Sequence, residues 1–383
     1  MSTLDRIVIV GNGIAGQTAA DTLRSADFDG ALTIIGDEAR AAYSRPALSK
    51  ALLRSDADLT AHELPAPDHG AVEMLGVAAS GLDIEQRMLS LNDGTTLKYD
   101  GLVIASGSRA RRLGAGPDEL VLRTLDDALT LRDRIAGRPD VVIVGGGPLG
   151  MEAASGALEA GCRVTLITNE PPMARQLGAH LGATIAAAAL AHGLNLIETP
   201  DARIIQHGGR SVAALADGTI IEGELLQSAV GDIPNTEWLA GSGLPSSGPL
   251  PVDTRGRVLH GELARAEIVA AGDVAAVPTD GGHLRSPIWN SAIAQAKVAA
   301  QALLLGDAAP ELNDRPYFWT EQFGLNIRVA GRAPLIGEPT VIDGDGPASQ
   351  LLRWEHPDGT ATAVSVNYRI PIPRLRKLCD LAA

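Results

Sequence analysis

An α/β fold with two parallel sheets is what this sequence predicts, and three observations predict it. An apolar run near the start breaks into G-x-G-x-x-G in "RIVIVGNGIAGQTAADTLR". The same device returns in "DVVIVGGGPLGMEAASGALEAGCRVTLITNE". Between and after the two copies, further apolar runs end on small residues, in "GLVIASGS", "LLQSAVGD" and "EIVAAGDV". Buried parallel strands that open into loops at their C-terminal ends read in this way.

In the first copy, Gly11 makes the tight turn, Gly13 lets the backbone approach a pyrophosphate, and Gly16 permits close packing of helix on strand. The helix N-terminus that follows favours an anion. The next apolar run, "ALTIIGDE", is a strand expected to end in Asp37 and Glu38, and an acid there is placed to bind ribose hydroxyls.

Residues 41–50, "AAYSRPALSK", bring Arg45, Pro46, Ser49 and Lys50 soon after that unit. Pro46 fixes the loop, and "SKALL" reads as the start of a helix with Ser49 near its N-terminus. A strand over 102–105 then runs into Ser106, Gly107 and Ser108, where backbone can come close to a ligand.

The second copy supplies Gly145, Gly147 and Gly150 in the same roles, with Glu152 expected in the first helical turn. Its second strand closes on Thr168, with Glu170 two residues later and Arg175 the nearest cation. Two such units in one chain imply two dinucleotides. Further on, Gly231 repeats the strand-then-glycine pattern, and a strand ends on Gly272 and Asp273. An Asp in that position is costly unless hydrogen-bonded, so a sugar-like polyol is a natural partner. Its alternative role is to cap a following helix.

The chain has 383 residues, enough for two or three domains. Hydrophobic residues at 45% and charged residues at 20% are the balance of a soluble globular protein. A net charge of −14 argues against nucleic acid as partner. Local basic runs remain at Arg109, Arg111 and Arg112, and at Arg374, Arg376 and Lys377. Two cysteines, Cys162 and Cys379, are far apart in sequence, which excludes a disulfide framework and fits a cytoplasmic location. The eight histidines show no metal-ligand spacing. The N-terminus enters a strand at once, leaving no room for a signal peptide, and no apolar stretch is long enough to span a bilayer.

These pieces together resemble the two-dinucleotide flavoprotein reductases of the glutathione-reductase-like fold, and more narrowly the ferredoxin and rubredoxin reductase branch that feeds oxygenases. The resemblance covers nearly the whole chain. It is carried by "IVIVGNGIAG", "IIGDE", "YSRPALSK", "VVIVGGGPLGMEAA", "AGDV", "WNSAIAQAKVAA" and "YFWTEQFGLNIRVAG". It implies two Rossmann-like dinucleotide-binding domains plus a C-terminal α+β domain. The FAD-binding domain takes 1–110 and 235–307, the NAD(P)H-binding domain 111–234, and the C-terminal reductase domain 308–383.

The resemblance also implies roles. Arg45 and Lys50 match the residues near the isoalloxazine, where a cation stabilises the charge of reduced flavin. Glu152 matches the partner of that lysine, and first-turn carboxylates are otherwise explained by the helix dipole alone. Trp289 matches a residue at the flavin edge, a core Trp being the other reading. The cofactors are FAD and NADH, with NADPH possible. The acceptor is a 2Fe-2S ferredoxin supplying an oxygenase, and the protein is a monomer or homodimer without membrane attachment. An NAD(P)H oxidase-like or quinone reductase flavoprotein, or a flavin-binding regulatory protein, are the alternatives.

The sequence departs from the family in three places, one of them a short C-terminal domain in which "VNYRIPIPRLRKLCDLAA" ends the chain soon after its last helix. Thr168 stands where NADH-specific relatives carry Glu, and Pro287 stands where a Glu often precedes the tryptophan matching Trp289. Residues 41–46 hold no cysteine, whereas thiol-using branches of the fold carry one or two there. Electrons therefore leave the flavin directly to an outside acceptor.

Overall fold

The computed structural model describes residues 4–50, 53 and 62–380. These form two compact units. Among the described residues, one unit draws on 4–44, 62–109 and 233–314; the other draws on 45–50, 53, 110–232 and 315–380.

In the first unit, a six-stranded sheet runs in the order Arg257–His260, Leu263–Ala270, Gly101–Ile104, Arg6–Val10, Ala31–Gly36, Val72–Leu75. All neighbours are parallel except the first pair. The strand Arg6–Val10 explains its unbroken apolar run. Ile7 and Ile9 enter a core with the helices Ile14–Ser25 and Trp289–Leu305, while Val8 and Val10 face the opposite core. A strand covered on both faces has no polar side to show. The two helices meet through Ala15, Ala19, Ala292, Ala296 and Ala299. Small side chains let them lie close, so few aromatics are needed here. The opposite face is covered by the antiparallel meander Ala79–Asp83, Met88–Leu91, Thr96–Lys98, which contributes Leu82, Leu89 and Leu91.

The second unit holds a five-stranded parallel sheet in the order Asn195–Glu198, Arg163–Thr168, Asp140–Val144, Leu225–Ser228, Glu119–Leu120. It also holds the antiparallel sheet Tyr317–Gln322, Leu325–Ala330, Ala361–Val366, Gln350–Glu355, Thr340–Gly344. The helix Ile372–Asp380 closes that sheet by burying Leu375 among Tyr317, Ala330, Leu351 and Ala363.

Three local expectations are corrected. The strand Ala31–Gly36 stops before Asp37 and Glu38, because its pairing with Val72–Leu75 ends at Gly36 opposite Leu75. The segment at Arg45 forms a short 3-10 turn, Arg45–Ala47, and Ser49 lies in the turn after it; most of the expected helix beyond Lys50 falls outside the described residues. No helix follows Asp273, which sits in the 3-10 turn Gly272–Val274 leading into the strand Ala275–Thr279, so it caps nothing helical. Among the described residues, no helix is long and apolar enough to cross a membrane.

Candidate active site

The two glycine turns repeat one construction. Gly11 has φ +118° and Gly145 has φ +120°, a region open chiefly to glycine. A Cβ at Gly11 would come under 3.0 Å of the Ala105 carbonyl oxygen, and one at Gly145 equally close to that of Ala229. A Cβ at Gly16 would press on the Gly11 carbonyl, and one at Gly150 on that of Gly145. These four glycines are therefore required by backbone packing. The middle ones differ: nothing lies within 4 Å of a Cβ at Gly13, and only Gln176 Nε2, at 3.6 Å, approaches one at Gly147. Each middle glycine is the N-cap of its helix, Ile14–Ser25 or Pro148–Glu159. Open space at a helix N-terminus, walled by close-packed backbone, suits a pyrophosphate. Beside the first turn, Asn12 Nδ2 is buried and has no hydrogen-bond partner among the described residues. A buried amide donor without a partner is costly, and an anionic or hydroxylated ligand would satisfy it. The residues present thus fit a dinucleotide.

Around the first turn, Glu38 is half-buried and accepts a hydrogen bond of 2.7 Å from the Tyr43 hydroxyl. Gly107 has φ +67°, and its loop is pinned to Asn235. The Ser106 hydroxyl donates to the Asn235 carbonyl at 2.8 Å, and the Asn235 amide returns a bond to the Ser106 carbonyl at 3.0 Å. The Ser108 hydroxyl reaches Asp273 Oδ2 at 3.4 Å. Gly272, preceding that Asp, has its N–H held at 2.9 Å by the buried Gln295. Trp289 is the first residue of the helix Trp289–Leu305 and is half-buried, so it is not a core tryptophan.

In the second unit, the helix Pro148–Glu159 starts at Pro148, which places Glu152 in its second turn, not its first. The dipole reading weakens accordingly, because that effect fades beyond the first turn. Glu152 is buried, its side chain 2% exposed against 15% for Lys50, and Lys50 Nζ lies 2.9 Å from Glu152 Oε2. The Ser49 hydroxyl donates to the same oxygen, and the Thr320 hydroxyl donates to Oε1 at 2.6 Å. Lys50 also sits 5.6 Å from the ring centre of Trp319 and donates to the Pro46 carbonyl at 3.4 Å. Arg45 donates to the Arg123 carbonyl at 2.8 Å.

At the end of the second nucleotide strand, Thr168 is buried and its hydroxyl turns back to the Glu170 carbonyl at 2.8 Å. A Cβ at Gly146 would meet that hydroxyl oxygen at 2.6 Å. Glu170 Oε1 instead pairs with Arg175 Nε at 2.9 Å, and the Arg175 side chain is 67% exposed.

Both thiols are held above the ordinary cysteine range by burial, so neither is an activated nucleophile. Thr320 and Gln322 were not singled out from the sequence, and Ser49 was read there only as a residue near a helix N-terminus. The available signal was the "WTEQ" stretch: alternation along the strand Tyr317–Gln322 places Thr320 and Gln322 on one buried face, where hydroxyl and amide require partners.

The family signature of pyridine nucleotide-disulphide oxidoreductases matches residues 5–302. The rhodocoxin reductase of Rhodococcus erythropolis is 34% identical over 338 residues, covering 85% of this chain and 78% of its own. The ferredoxin–NAD(+) reductase subunit of a benzene 1,2-dioxygenase system from Pseudomonas putida is 32% identical over 360 residues, covering 91% and 83%. A crystal structure of a ferredoxin reductase from Rhodopseudomonas palustris superposes with a TM-score of 0.85 at 29% identity, covering 95% and 91%.

Proposed function

Because this chain belongs to the pyridine nucleotide-disulphide oxidoreductase family and is an oxidoreductase, we propose that it carries electrons from NADH through FAD to a 2Fe-2S ferredoxin serving an oxygenase. The observation that carries the reading is the doubled glycine turn, one construction built twice in a chain whose two cysteines, Cys162 and Cys379, lie outside residues 41–46, where thiol-using branches of the fold carry theirs. Two nucleotide sites without a thiol outlet leave an external electron acceptor. Relatives named for ferredoxin–NAD(+) reduction support ferredoxin as that acceptor and NAD(H) as the donor.

When bound, FAD links a two-electron donor to one-electron acceptors: a hydride from NADH leaves as two electrons to two iron–sulfur centres and one proton to solvent. The chain's own residues do the rest. The turns at Gly13 and Gly147 seat the two pyrophosphates, and Glu38 and Asp273 accept hydrogen bonds from the FAD ribose and polyol. Lys50 supplies a fixed positive charge that favours added electrons on a flavin. Glu152 keeps that ammonium oriented and compensates its burial, which an isolated charge would not tolerate. The assignment of 1–110 with 235–307 to FAD, 111–234 to NAD(P)H and 308–383 to the C-terminal domain belongs to the same proposal.

Two measurements test it. Flavin released from the purified protein should be FAD, since FMN lacks the adenosine for which Glu38 is placed. Cytochrome c reduction by NADH should accelerate when a purified 2Fe-2S ferredoxin is added. Brisk reduction of ferricyanide with no acceleration by any such ferredoxin, at any ionic strength, refutes the acceptor.

A further inference from the structure

The Glu152 carboxylate is surrounded more completely than an ion pair requires. Lys50 and Ser49 both donate to Oε2, while Thr320 donates to Oε1. Thr320 is fully buried, and it comes from the strand Tyr317–Gln322, far along the chain from the lysine. Its hydroxyl also accepts a bond of 2.7 Å from the amide nitrogen of Gln322, itself buried. That second bond fixes the direction of the first. A hydroxyl has one proton, and with its acceptor side taken by an amide N–H, the proton points at Glu152. The chain of donors thus runs from the Gln322 amide to the Thr320 hydroxyl to the Glu152 carboxylate, where Lys50 also ends. One residue further, the Phe323 N–H donates to the Ser155 hydroxyl at 2.8 Å. Glu152 and Ser155 are three apart on one helix, so two adjacent points of the C-terminal strand and its turn grip one helical face.

We propose that Thr320, oriented by Gln322, is a positioning residue through which the C-terminal strand sets the place and the effective charge of the Lys50 ammonium. With three donors on the carboxylate, its negative charge is shared and Lys50 is held without being fully neutralised. Without the Thr320 hydroxyl, Oε1 is buried and unsatisfied, and the carboxylate draws harder on its remaining partners, Ser49 and Lys50. The charge that Lys50 offers to a flavin then falls. The inference rests on the proposed role of Lys50, and the experiment separates the two.

The test compares Thr320→Val, Thr320→Ser, Lys50→Met and the Thr320→Val/Lys50→Met pair as FAD-loaded full-length proteins, reading the flavin midpoint potential by dye equilibration. Thr320→Val keeps the side-chain shape and removes only the hydroxyl. The relay expects Lys50→Met to lower the potential and Thr320→Val to lower it in the same direction. The Thr320→Val change is at least tenfold in the oxidised-to-reduced equilibrium, about 30 mV for a two-electron couple. Thr320→Ser should restore the parental value, and adding Thr320→Val to Lys50→Met should shift it no further, since the hydroxyl acts through the lysine. A parental potential in Thr320→Val alongside a shifted Lys50→Met overturns the relay and leaves the role of Lys50 standing. A parental potential in Lys50→Met overturns both. If Thr320→Val binds no FAD, Gln322→Met takes its place, because it frees the Thr320 hydroxyl to turn away. A parental potential there overturns the relay equally.

Discussion

Gly16→Ala and Gly13→Ala change the same glycine motif by one methyl group each, and the structure assigns them opposite consequences. At Gly16, the new Cβ would lie under 3.0 Å of the Gly11 carbonyl oxygen. That oxygen cannot swing aside, because the Gly11 N–H is bonded to the Ile35 carbonyl at 2.8 Å and the residue is itself pressed against Ala105. Overpacking against atoms that cannot move lies at or above the upper end of the usual range, about 3 kcal/mol. Exchanging glycine for alanine inside a helix returns about 1 kcal/mol. The net destabilisation is then about 2 kcal/mol, present whether or not a flavin is bound. At Gly13, φ is −86° and nothing lies within 4 Å of the new methyl, so only the poorer N-cap matters, at about 1 kcal/mol or less.

The order reverses for the ligand. The space a Gly13 methyl would fill is the space a pyrophosphate needs, so Gly13→Ala should weaken FAD binding at least about tenfold, equivalent to about 1.4 kcal/mol. Denaturant midpoints of the flavin-stripped proteins measure the first effect, and quenching of FAD fluorescence on binding measures the second. The reasoning fails if Gly13→Ala binds FAD with the parental Kd. It fails equally if stripped Gly16→Ala unfolds at the parental midpoint.

Glu170→Gln should release Arg175 from its ion pair and raise kcat/KM for NADPH relative to NADH, because a free guanidinium attracts the 2′-phosphate; an unchanged ratio places the pair away from the adenosine ribose. Asp314 is half-buried with its carboxyl pKa raised by burial, partly opposed by the hydrogen bond from Ser291, so it costs the folded state stability as pH climbs through its raised value. Asp314→Asn should therefore raise the denaturation midpoint at neutral pH, with the two proteins converging as pH falls toward 3.8; a gap of constant size across that window contradicts the assignment. Arg374 and Lys377 are exposed on the helix Ile372–Asp380, whereas Arg109 is paired with Glu237 and Arg112 donates to the Glu119 carbonyl. Reversing Arg374 and Lys377 to Glu should raise KM for ferredoxin and flatten its salt dependence while ferricyanide reduction is unchanged; equal KM values would move the docking site elsewhere.

What could be read from the residues, and what could not, follows the range of the forces involved. The glycine turns were legible because each is local: strand, φ-positive turn and helix lie within 20 residues, 6–25 and 140–159, and Gly16 meets Gly11 across a single turn. The strand Arg6–Val10 was legible because burial on both faces leaves an unbroken apolar run. Glu152 shows where this reach ends. The motif places it on the right helix, yet Pro148 starts that helix far enough upstream to put the carboxylate in the second turn, beyond the strongest part of the dipole. Its environment is then set by Ser49 and Thr320, more than 100 positions away on either side, and no periodicity encodes which hydroxyl meets which carboxylate. Thr168 is the converse case. By strand position it reads as the ribose residue, but a threonine is short enough to fold its hydroxyl back onto the Glu170 carbonyl, where the missing side chain of Gly146 leaves room. A glutamate at 168 would be too long to hide there and would have to extend outward. One substitution at the strand end thus leaves Glu170 and its partner Arg175 as the charged pair of that turn, and under the proposed function discrimination at the ribose would fall to a balanced pair in place of a single acid.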